Sequence, residues 1–422
     1  MESRSTWFDE GRRHFDYIVI GCGGIGSATV YWLSKQVKGD VLGIEQFKLG
    51  HVNGGSQDHS RIIRLSYPDD RYTKLAPHTY QTWNEVEQES GMKIVYKCGG
   101  LNMAKIGEGD HIINSFAAAM DRANIQYERL NKTELERKFP QFELKEDVVS
   151  LYQKDSGLVD AAVANSTHQQ LARGHGASII SNCAVIRLYR NTLGQMTVKT
   201  TRGKFTCRRV IVTAGAWINQ ILGSVGVNLP ITVTQENVTY FASPHSKLFS
   251  KERFPIFIYH APNYNYYQIP IHGNSSTKIG IDAVGKTVTP TTRDFTPCPE
   301  REQNVIEFMN KIAPKIITLI CFLFQFLGPI METKCCLYAM TPDRHFVIDT
   351  CHRTGYSDVI VCNGAGHAFK WASLLGKILS QLAIDGKTQY DISSFTMDRE
   401  ALTNPNYKPH FHLTGLPVPA KL

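Results

Sequence analysis

Three glycines near the start of the chain have the spacing of a phosphate-binding turn. They are Gly21, Gly23 and Gly26. They follow an apolar run, 15–20, and precede a segment of helical spacing. In such a unit the first glycine permits a tight turn, the second lets a pyrophosphate approach the backbone, and the third allows close helix–strand packing. A second strand, 40–45, ends at Glu45, where a carboxylate accepts hydrogen bonds from ribose hydroxyls. Together these features predict a dinucleotide site, because a mere tight turn leaves Glu45 without a role.

Two arginines follow a loop of turn-forming residues at 50–58. Arg61 and Arg64 are three residues apart, so on one helical turn they share a face. Arginine holds a carboxylate in a bidentate manner, so this pair can grip an acid substrate or the polar edge of a flavin. The alternative is a pair of solvated surface side chains.

Two lysines lie in comparable positions later in the chain. Lys278 belongs to a strand, 277–282, whose alternation places Lys278, Gly280 and Asp282 on one face. Lys370 follows another strand, where Gly364 and Gly366 lead into a helix N-terminus that can bind an anion or a polar ring. For each lysine the alternative is a solvated side chain.

The strand and helix patterns predict an α/β fold with a Rossmann-like dinucleotide-binding domain interleaved with an α+β substrate domain built on an antiparallel sheet. A chain of 422 residues is long for a single core. The predicted segments are 1–14 for an N-terminal extension, 15–100, 155–224 and 334–395 for the first domain, 101–154 and 225–333 for the second, and 396–422 for a C-terminal tail.

Composition narrows the class of protein. The net charge is +8, but the basic residues are spread out, so the charge favours anionic cofactors and acid substrates rather than nucleic acid.

Ten cysteines occur without C-x-x-C pairs or metal-ligand spacing, and no secretory segment precedes the first strand. We therefore expect reduced thiols, an intracellular compartment and no metal. The apolar run 316–327 is too short to span a membrane, and is either an insertion or a gene-model artefact.

Three further segments carry a resemblance to a known family. They are Ser60-Arg-Ile-Ile-Arg64, Cys336-x-Tyr338-x-x-Thr341-Pro-Asp343-x-x-Phe346 and Gly366-His367-x-Phe369-Lys370. Over residues 15–395 the chain resembles the monomeric sarcosine oxidase family of flavoproteins, and within it the peroxisomal sarcosine and L-pipecolate oxidases. The resemblance implies an FAD-dependent oxidase of secondary or N-methyl amino acids (sarcosine, L-pipecolate, L-proline) that transfers electrons to oxygen and releases hydrogen peroxide.

The resemblance also implies roles for individual residues. Cys336 matches the cysteine that carries FAD through an 8α-thioether, and a disulfide with Cys335 would block that link. Arg64 and Lys370 match the residues that bind the substrate carboxylate, and Lys278 matches the lysine that activates oxygen. The remaining matches near the flavin or the substrate are Ser60, Arg61, Gly364, Gly366, Tyr267 and Tyr338.

Two positions depart from the family pattern. Gln57 and Asp282 stand where the family usually has histidine, and an acid at 282 suggests a substrate with an additional cationic group. Two alternatives follow: an NAD-dependent dehydrogenase, which shares the glycine turn, or a catalytically silent flavin-binding homologue.

The last three residues, Ala420-Lys421-Leu422, are a variant of the Ser-Lys-Leu peroxisomal signal. They predict a peroxisomal protein that binds the peroxisomal import receptor. A peroxide-forming oxidase agrees with that compartment.

Overall fold

The computed structural model of the chain describes residues 11–243, 245–313 and 330–410. The apolar run 316–327 and the terminal tripeptide 420–422 lie outside these ranges, as does most of the predicted N-terminal extension.

The strands of the described ranges, in chain order, are β1 (His14–Ile20), β2 (Val41–Ile44), β3 (Ser60–Ile63), β4 (Val95–Tyr96), β5 (Gly100–Lys105), β6 (Glu128–Asn131), β7 (Val148–Gln153), β8 (Gly157–Asp160), β9 (Ser178–Ile180), β10 (Val185–Arg190), β11 (Met196–Thr200), β12 (Gly203–Val212), β13 (Thr232–Ala242), β14 (Ile256–His260), β15 (Asn265–Ile269), β16 (Ser276–Ile281), β17 (Lys286–Thr287), β18 (Ile330–Met340), β19 (Val347–Cys351) and β20 (Tyr356–Asn363). The α-helices are α1 (Gly24–Val37), α2 (Asp70–Ser90), α3 (Asp110–Arg122), α4 (Lys132–Lys138), α5 (Ala161–Gly174), α6 (Ile218–Leu222), α7 (Pro299–Ile312), α8 (Ala372–Asp385) and α9 (Glu400–Thr403).

The first sheet carries the glycine turn. Its order is β10-β11-β12-β1-β2-β9, and β20 adds to β12 and β19 to β20. The pairs of β1 with β12 and β2, of β2 with β9 and of β12 with β20 are parallel. Val19 packs into the core shared with α1 and α8, whereas Ile18 and Ile20 pack into the core on the opposite face. Burial on both faces explains the continuous apolar run of β1, and the predicted Rossmann-like arrangement is confirmed.

The second sheet carries Lys278 and Cys336. Its order is β17-β13-β16-β15-β14-β5-β7-β6, with β18 also paired to β13. All of these pairs are antiparallel except that of β14 with β5, so the predicted antiparallel sheet is confirmed. On β16, Ile279 and Ile281 pack with Phe308 of α7. Lys278 therefore faces the other side of the sheet, toward the glycine turn of the first sheet.

Three local features differ from the sequence expectations. Ser60–Ile63 is a strand paired with β8 rather than a helical turn, because Ile62 and Ile63 find apolar partners on that sheet. Lys370 lies in a 3-10 turn, Phe369–Trp371, and α8 begins only at Ala372. Residues 334–340, assigned by sequence to the first domain, are part of β18 and hydrogen-bond into the second sheet. The domain boundaries otherwise remain a prediction.

No helix in the described part of the chain is long and apolar enough to cross a membrane.

Candidate active site

A large cavity of about 770 Å³ runs from the glycine turn of the first sheet to the inner face of the second. Its walls include residues from β1, β3, β15, β16 and β18 and from the segment between β20 and α8. Every site residue predicted from the sequence lines this cavity except Gly26 and Ser60. The fold has therefore brought together side chains separated by up to some three hundred positions.

The glycine turn is shaped by close backbone packing. Gly21 has a φ of +90°, and a Cβ there would lie 2.8 Å from the carbonyl oxygen of Thr213. A Cβ on Gly26 would lie 1.8 Å from the carbonyl oxygen of Gly21, so Gly26 must be glycine. Gly23 borders the cavity just before α1 begins. These three environments agree with the tight turn, the open approach and the close packing expected of a phosphate site, and the N-terminus of α1 adds a favourable dipole.

Glu45 lies at the end of β2 and is buried on the cavity wall. Its carboxylate accepts the backbone N–H of Cys22 at 2.9 Å and that of Phe47 at 3.0 Å. His51 Nε2 lies 3.3 Å from the same carboxylate. Two carboxylate oxygens accept about four hydrogen bonds in all, so capacity remains for a ribose.

Lys278 is almost completely buried and forms an ion pair with Asp58. Its Nζ lies 2.5 Å from Asp58 Oδ2 and donates a second hydrogen bond to the carbonyl oxygen of Ser60 at 2.9 Å. Burial lowers the pKa of Lys278 to about 8, since desolvation outweighs the attraction of Asp58 and Arg61 adds repulsion. The lysine can therefore carry a positive charge at neutral pH inside the cavity.

Asp58 is a functional residue that the sequence reasoning missed. Besides Lys278, its carboxylate accepts a hydrogen bond from Tyr240 Oη at 2.5 Å and contacts Lys334 Nζ at 3.2 Å. It is buried, yet Lys278 and Arg61 hold its pKa well below the usual range. Its φ of 101° is in the left-handed region, which non-glycine residues adopt only where the surroundings enforce it. A lone acid in a loop forms no sequence pattern that would predict a buried ion pair.

Arg61 is held by the same loop. Its guanidinium donates to the carbonyl oxygens of Gly55, Gln57 and Ser60 at 2.6 to 3.0 Å. It also lies 3.6 Å from Asp58, which contributes to raising the arginine's pKa against the effect of burial. Arg61 is thus a charged residue of the cavity wall that the loop holds in place, rather than a solvated side chain.

Cys336 lines the cavity, whereas its neighbour Cys335 does not. Adjacent strand residues point to opposite faces, and the Cys335 thiol is directed at Asn237 Oδ1, 3.8 Å away. Both cysteines are free, as are the other cysteines of the described ranges. Burial raises the pKa of Cys336 to about 11, with Arg61 opposing the effect. The two form no vicinal disulfide, and of this pair only Cys336 lines the cavity.

Two tyrosines of the cavity are positioned by glycines. A Cβ on Gly366 would lie 2.8 Å from the Tyr338 ring, and a Cβ on Gly280 would lie 2.5 Å from Tyr267 Oη. Burial raises the pKa of both tyrosines well above its usual value, so both remain protonated donors. Gly280 within β16 and Gly366 in the segment after β20 thus leave room for the two aromatic rings.

Arg64 and Lys370 lie together at the far end of the cavity. Arg64 donates to Asn102 Oδ1 at 3.1 Å and stacks over Tyr67, and its Nε is buried without a partner in the described structure. Lys370 donates to the carbonyl oxygen of His367 at 3.0 Å. Burial, followed by repulsion from Arg64, lowers the pKa of Lys370 to about 7. Two cations in a buried cavity fit an anionic ligand, because a carboxylate would relieve that repulsion.

Asp282 follows β16 and lines the same end of the cavity. The guanidinium of Arg344, which the sequence reasoning did not single out, lies 3.3 Å from its carboxylate. Asp282 is therefore already paired with a cation of the chain itself.

The fold and the cavity define a class of protein: an enzyme with a dinucleotide-binding domain whose cavity is lined by cations. The glycine cradle and Glu45 fit the nucleotide half of a dinucleotide cofactor such as FAD, and Arg61, Lys278 and Cys336 line the same cavity. Residues 16–382 match the family of FAD-dependent oxidoreductases described as DAO, and the chain belongs to this family. This match excludes the NAD-dependent dehydrogenase that the glycine turn alone left open.

Curated relatives agree with the assignment. The chain is 31% identical over 393 residues to the monomeric sarcosine oxidase of Bacillus sp. (strain NS-129), covering 92% of this chain and 98% of that protein. It is 30% identical over 400 residues to the peroxisomal sarcosine oxidase of Mus musculus, covering 91% and 96%. The expected resemblance is therefore confirmed, and the chain is an FAD-dependent enzyme of the class that oxidises CH–NH donors.

Solved structures share the fold. The amino acid oxidase NikD in its open form superposes with a TM-score of 0.78 at 23% identity, covering 91% of this chain and 98% of that one. The L-proline dehydrogenase of P. horikoshii also gives a TM-score of 0.78, at 21% identity, with coverages of 91% and 97%.

Proposed function

We propose that this enzyme oxidises secondary or N-methyl α-amino acids at the carbon next to nitrogen, with oxygen as the acceptor. The products are an imine, which water hydrolyses, and hydrogen peroxide. The observation that carries the proposal is the arrangement of charge along one cavity: Arg64 and Lys370 at one end, and the buried Lys278–Asp58 pair beside Cys336.

Arg64 and Lys370 bind the substrate carboxylate in this proposal. Arg64 is cationic, Lys370 is cationic when protonated, and both lie where burial strengthens each charged contact. Tyr267 and Tyr338, whose hydroxyls stay protonated, line the same space and orient the neutral amine. The substrate is thereby selected as an amino acid rather than a simple amine.

FAD supplies the redox chemistry when bound, taking two electrons from the substrate and passing them to oxygen. Its proposed binding site is lined by Gly21, Gly23, Glu45, Gly364 and Gly366, and would be supported from behind the cavity wall by Gly26 and Ser60. Lys278 contributes a preorganised positive charge where negative charge develops on oxygen, and Arg61 fixes the loop that holds it. The protein's part is therefore orientation, exclusion of water and charge.

Cys336 is the proposed attachment point of FAD, through an 8α-thioether. Its thiol faces the cavity and is free, and that of Cys335 faces away.

We also propose a peroxisomal location, with Ala420-Lys421-Leu422 recognised by the import receptor. That location would suit an enzyme that releases peroxide.

The decisive experiment is a substrate panel with the flavin-loaded enzyme. Sarcosine, L-pipecolate and L-proline are supplied in air, and peroxide is measured with a coupled peroxidase. We expect stoichiometric peroxide from at least one of them. Bleaching of the flavin band without peroxide would instead indicate a dehydrogenase that uses another acceptor. Unchanged flavin absorbance with all three, and also with N-methyl-L-glutamate, would indicate the catalytically silent homologue.

A further inference from the structure

Arg344 gives the substrate end of the cavity a third cation. It lies in the turn between β18 and β19 with a φ of 59°, and its carbonyl oxygen accepts a hydrogen bond from His367 Nε2 at 2.7 Å. The left-handed turn and this hydrogen bond fix the backbone from which the guanidinium extends. The guanidinium lines the cavity and is buried, with only 16% of the side chain exposed.

The hydrogen-bonding capacity of Arg344 is only partly used. Its Nη2 contacts Asp282 at 3.3 and 3.4 Å, and its Nη1 contacts only the sulfur of Met340 at 3.5 Å. Its Nε has no partner in the described structure. A guanidinium has five donors, and leaving buried donors unpaired is costly. An oxygen-rich group from a ligand would satisfy them.

The charges around this point do not balance. Arg64, Arg344 and protonated Lys370 provide three positive charges, and Asp282 one negative charge, so the end of the cavity carries +2. The groups share one environment, since Arg64, Asp282 and Arg344 each shift the pKa of Lys370. Arg61 also shifts it, but the charge of Arg61 is compensated by Asp58, 3.6 Å away. The histidines that face it, His260 and His367, have pKa values lowered by burial and are neutral at pH 7. A monocarboxylate with a neutral amine compensates one charge only.

We propose that Arg344, oriented by Asp282, binds a second carboxylate on the substrate, so that the preferred substrates are N-alkylated amino acids with an acidic side chain. This inference rests on the proposed function and narrows its substrate class. A dianion brings the net charge of the site to zero. A cationic side chain, which Asp282 suggests when considered by sequence alone, would meet a carboxylate already paired and three neighbouring cations. The proposal therefore replaces a cationic side chain by an acidic one.

The test compares N-methyl-L-glutamate with its isosteric neutral analogue N-methyl-L-glutamine, and with Nα-methyl-L-lysine. We expect kcat/KM to be at least about tenfold higher for the glutamate derivative than for the glutamine derivative, and lowest for the lysine derivative. Arg344→Met should abolish or reverse the preference for the acid, because Asp282 is then uncompensated. Asp282→Asn should increase it. Arg353→Met, which removes an arginine paired with Asp398 at the surface, is the matched control and should leave the ratio unchanged.

Equal rates for the acid and the amide, or a preference that survives Arg344→Met, would overturn the inference while leaving the proposed function intact. A second measurement does not need turnover. 2-(Methylthio)pentanedioate and methylthioacetate carry sulfur in place of the amine, the first with two carboxylates and the second with one. Calorimetric titration should give at least about tenfold tighter binding of 2-(methylthio)pentanedioate to the flavin-loaded enzyme, and equal affinity in Arg344→Met. Equal affinity in the parent enzyme would refute the second carboxylate site even if no amino acid were oxidised.

Discussion

Lys278 and Asp58 form a buried ion pair of 2.5 Å between the second sheet and the loop that precedes β3. Both side chains are at most 4% exposed, so neither charge is compensated by water. Burying a charge is costly unless it is paired and hydrogen-bonded. Asp58 provides the paired charge for Lys278. Asp58 in turn is hydrogen-bonded or paired by Tyr240, Lys334 and Arg61. The pair therefore joins the loop that precedes β3 to the cavity face of the second sheet.

Replacing Asp58 with Asn should both destabilise the enzyme and lower the pKa of Lys278. Removing one partner of a buried pair costs about 3 kcal/mol in the free energy of unfolding. Without the carboxylate, Lys278 should be neutral at pH 7, and the reaction with oxygen should slow there and recover as the pH falls. Thermal unfolding and oxygen-consumption rates between pH 6 and 9 measure the two effects. Asp155→Asn, which disrupts an exposed pair with Lys97, is the control and should change neither.

Replacing Lys278 with Met should slow the reaction with oxygen much more than reduction by substrate. Loss of one preorganised charge costs about 3 kcal/mol, roughly a hundredfold or more in rate. Stopped-flow absorbance at the flavin band separates the two half-reactions. Lys286→Met alters an exposed lysine of the same sheet and serves for comparison. Equal slowing of both half-reactions in Lys278→Met would mean that the lysine positions the cofactor or supports the fold instead.

The flavin link distinguishes two adjacent thiols. After acid precipitation the parent protein and Cys335→Ser should remain yellow, whereas Cys336→Ser should release FAD into the supernatant. The reason is that only Cys336 faces the cavity. Absorbance of pellet and supernatant, with the mass of the intact protein, measures the result. Retention of FAD by Cys336→Ser with loss from Cys335→Ser would move the link by one residue.

Arg64 and Lys370 should act on the substrate carboxylate specifically. Arg64→Ala and Lys370→Ala should each weaken the use of sarcosine by roughly 2–4 kcal/mol in kcat/KM, with sarcosinamide nearly unaffected. Steady-state kinetics with the acid and the amide measure this difference. Lys377→Ala removes a lysine of α8 that pairs with Glu85 and is the matched control. An unchanged preference for the acid in both variants would exclude the carboxylate clamp.

Carboxylate binding should depend on pH through Lys370. The pKa of Lys370 in the free enzyme is lowered to about 7, so the lysine binds an anion in its protonated form below that pH and loses its charge above it. The dissociation constant of methylthioacetate should therefore rise as the pH increases through about 7. Binding to Lys370→Met should be weaker and lack this dependence between pH 6 and 8.5. A parent profile that is flat over the same range would contradict the assignment.

The sequence by itself determined the parts that depend on local spacing. The run 15–20, the three glycines and Glu45 form a strand–turn–helix–strand unit because each residue acts on its near neighbours along the chain. The side-chain alternation at Lys278 also follows from strand periodicity, and the segments around Cys336 and Lys370 were sufficient to identify the family. These features need no knowledge of distant contacts.

The tertiary structure alone decided how the charges are paired. Asp58 lies 220 positions from Lys278, and Arg344 lies 62 from Asp282, so neither pair produces a sequence pattern. Pairing of β3 with β8 likewise converted an expected helical turn into a strand, because cross-strand contacts outweigh weak local preferences. The sequence supplied the cations and acids of the cavity. Which of them remain free for a substrate depends on side chains that meet only after the two sheets have packed together.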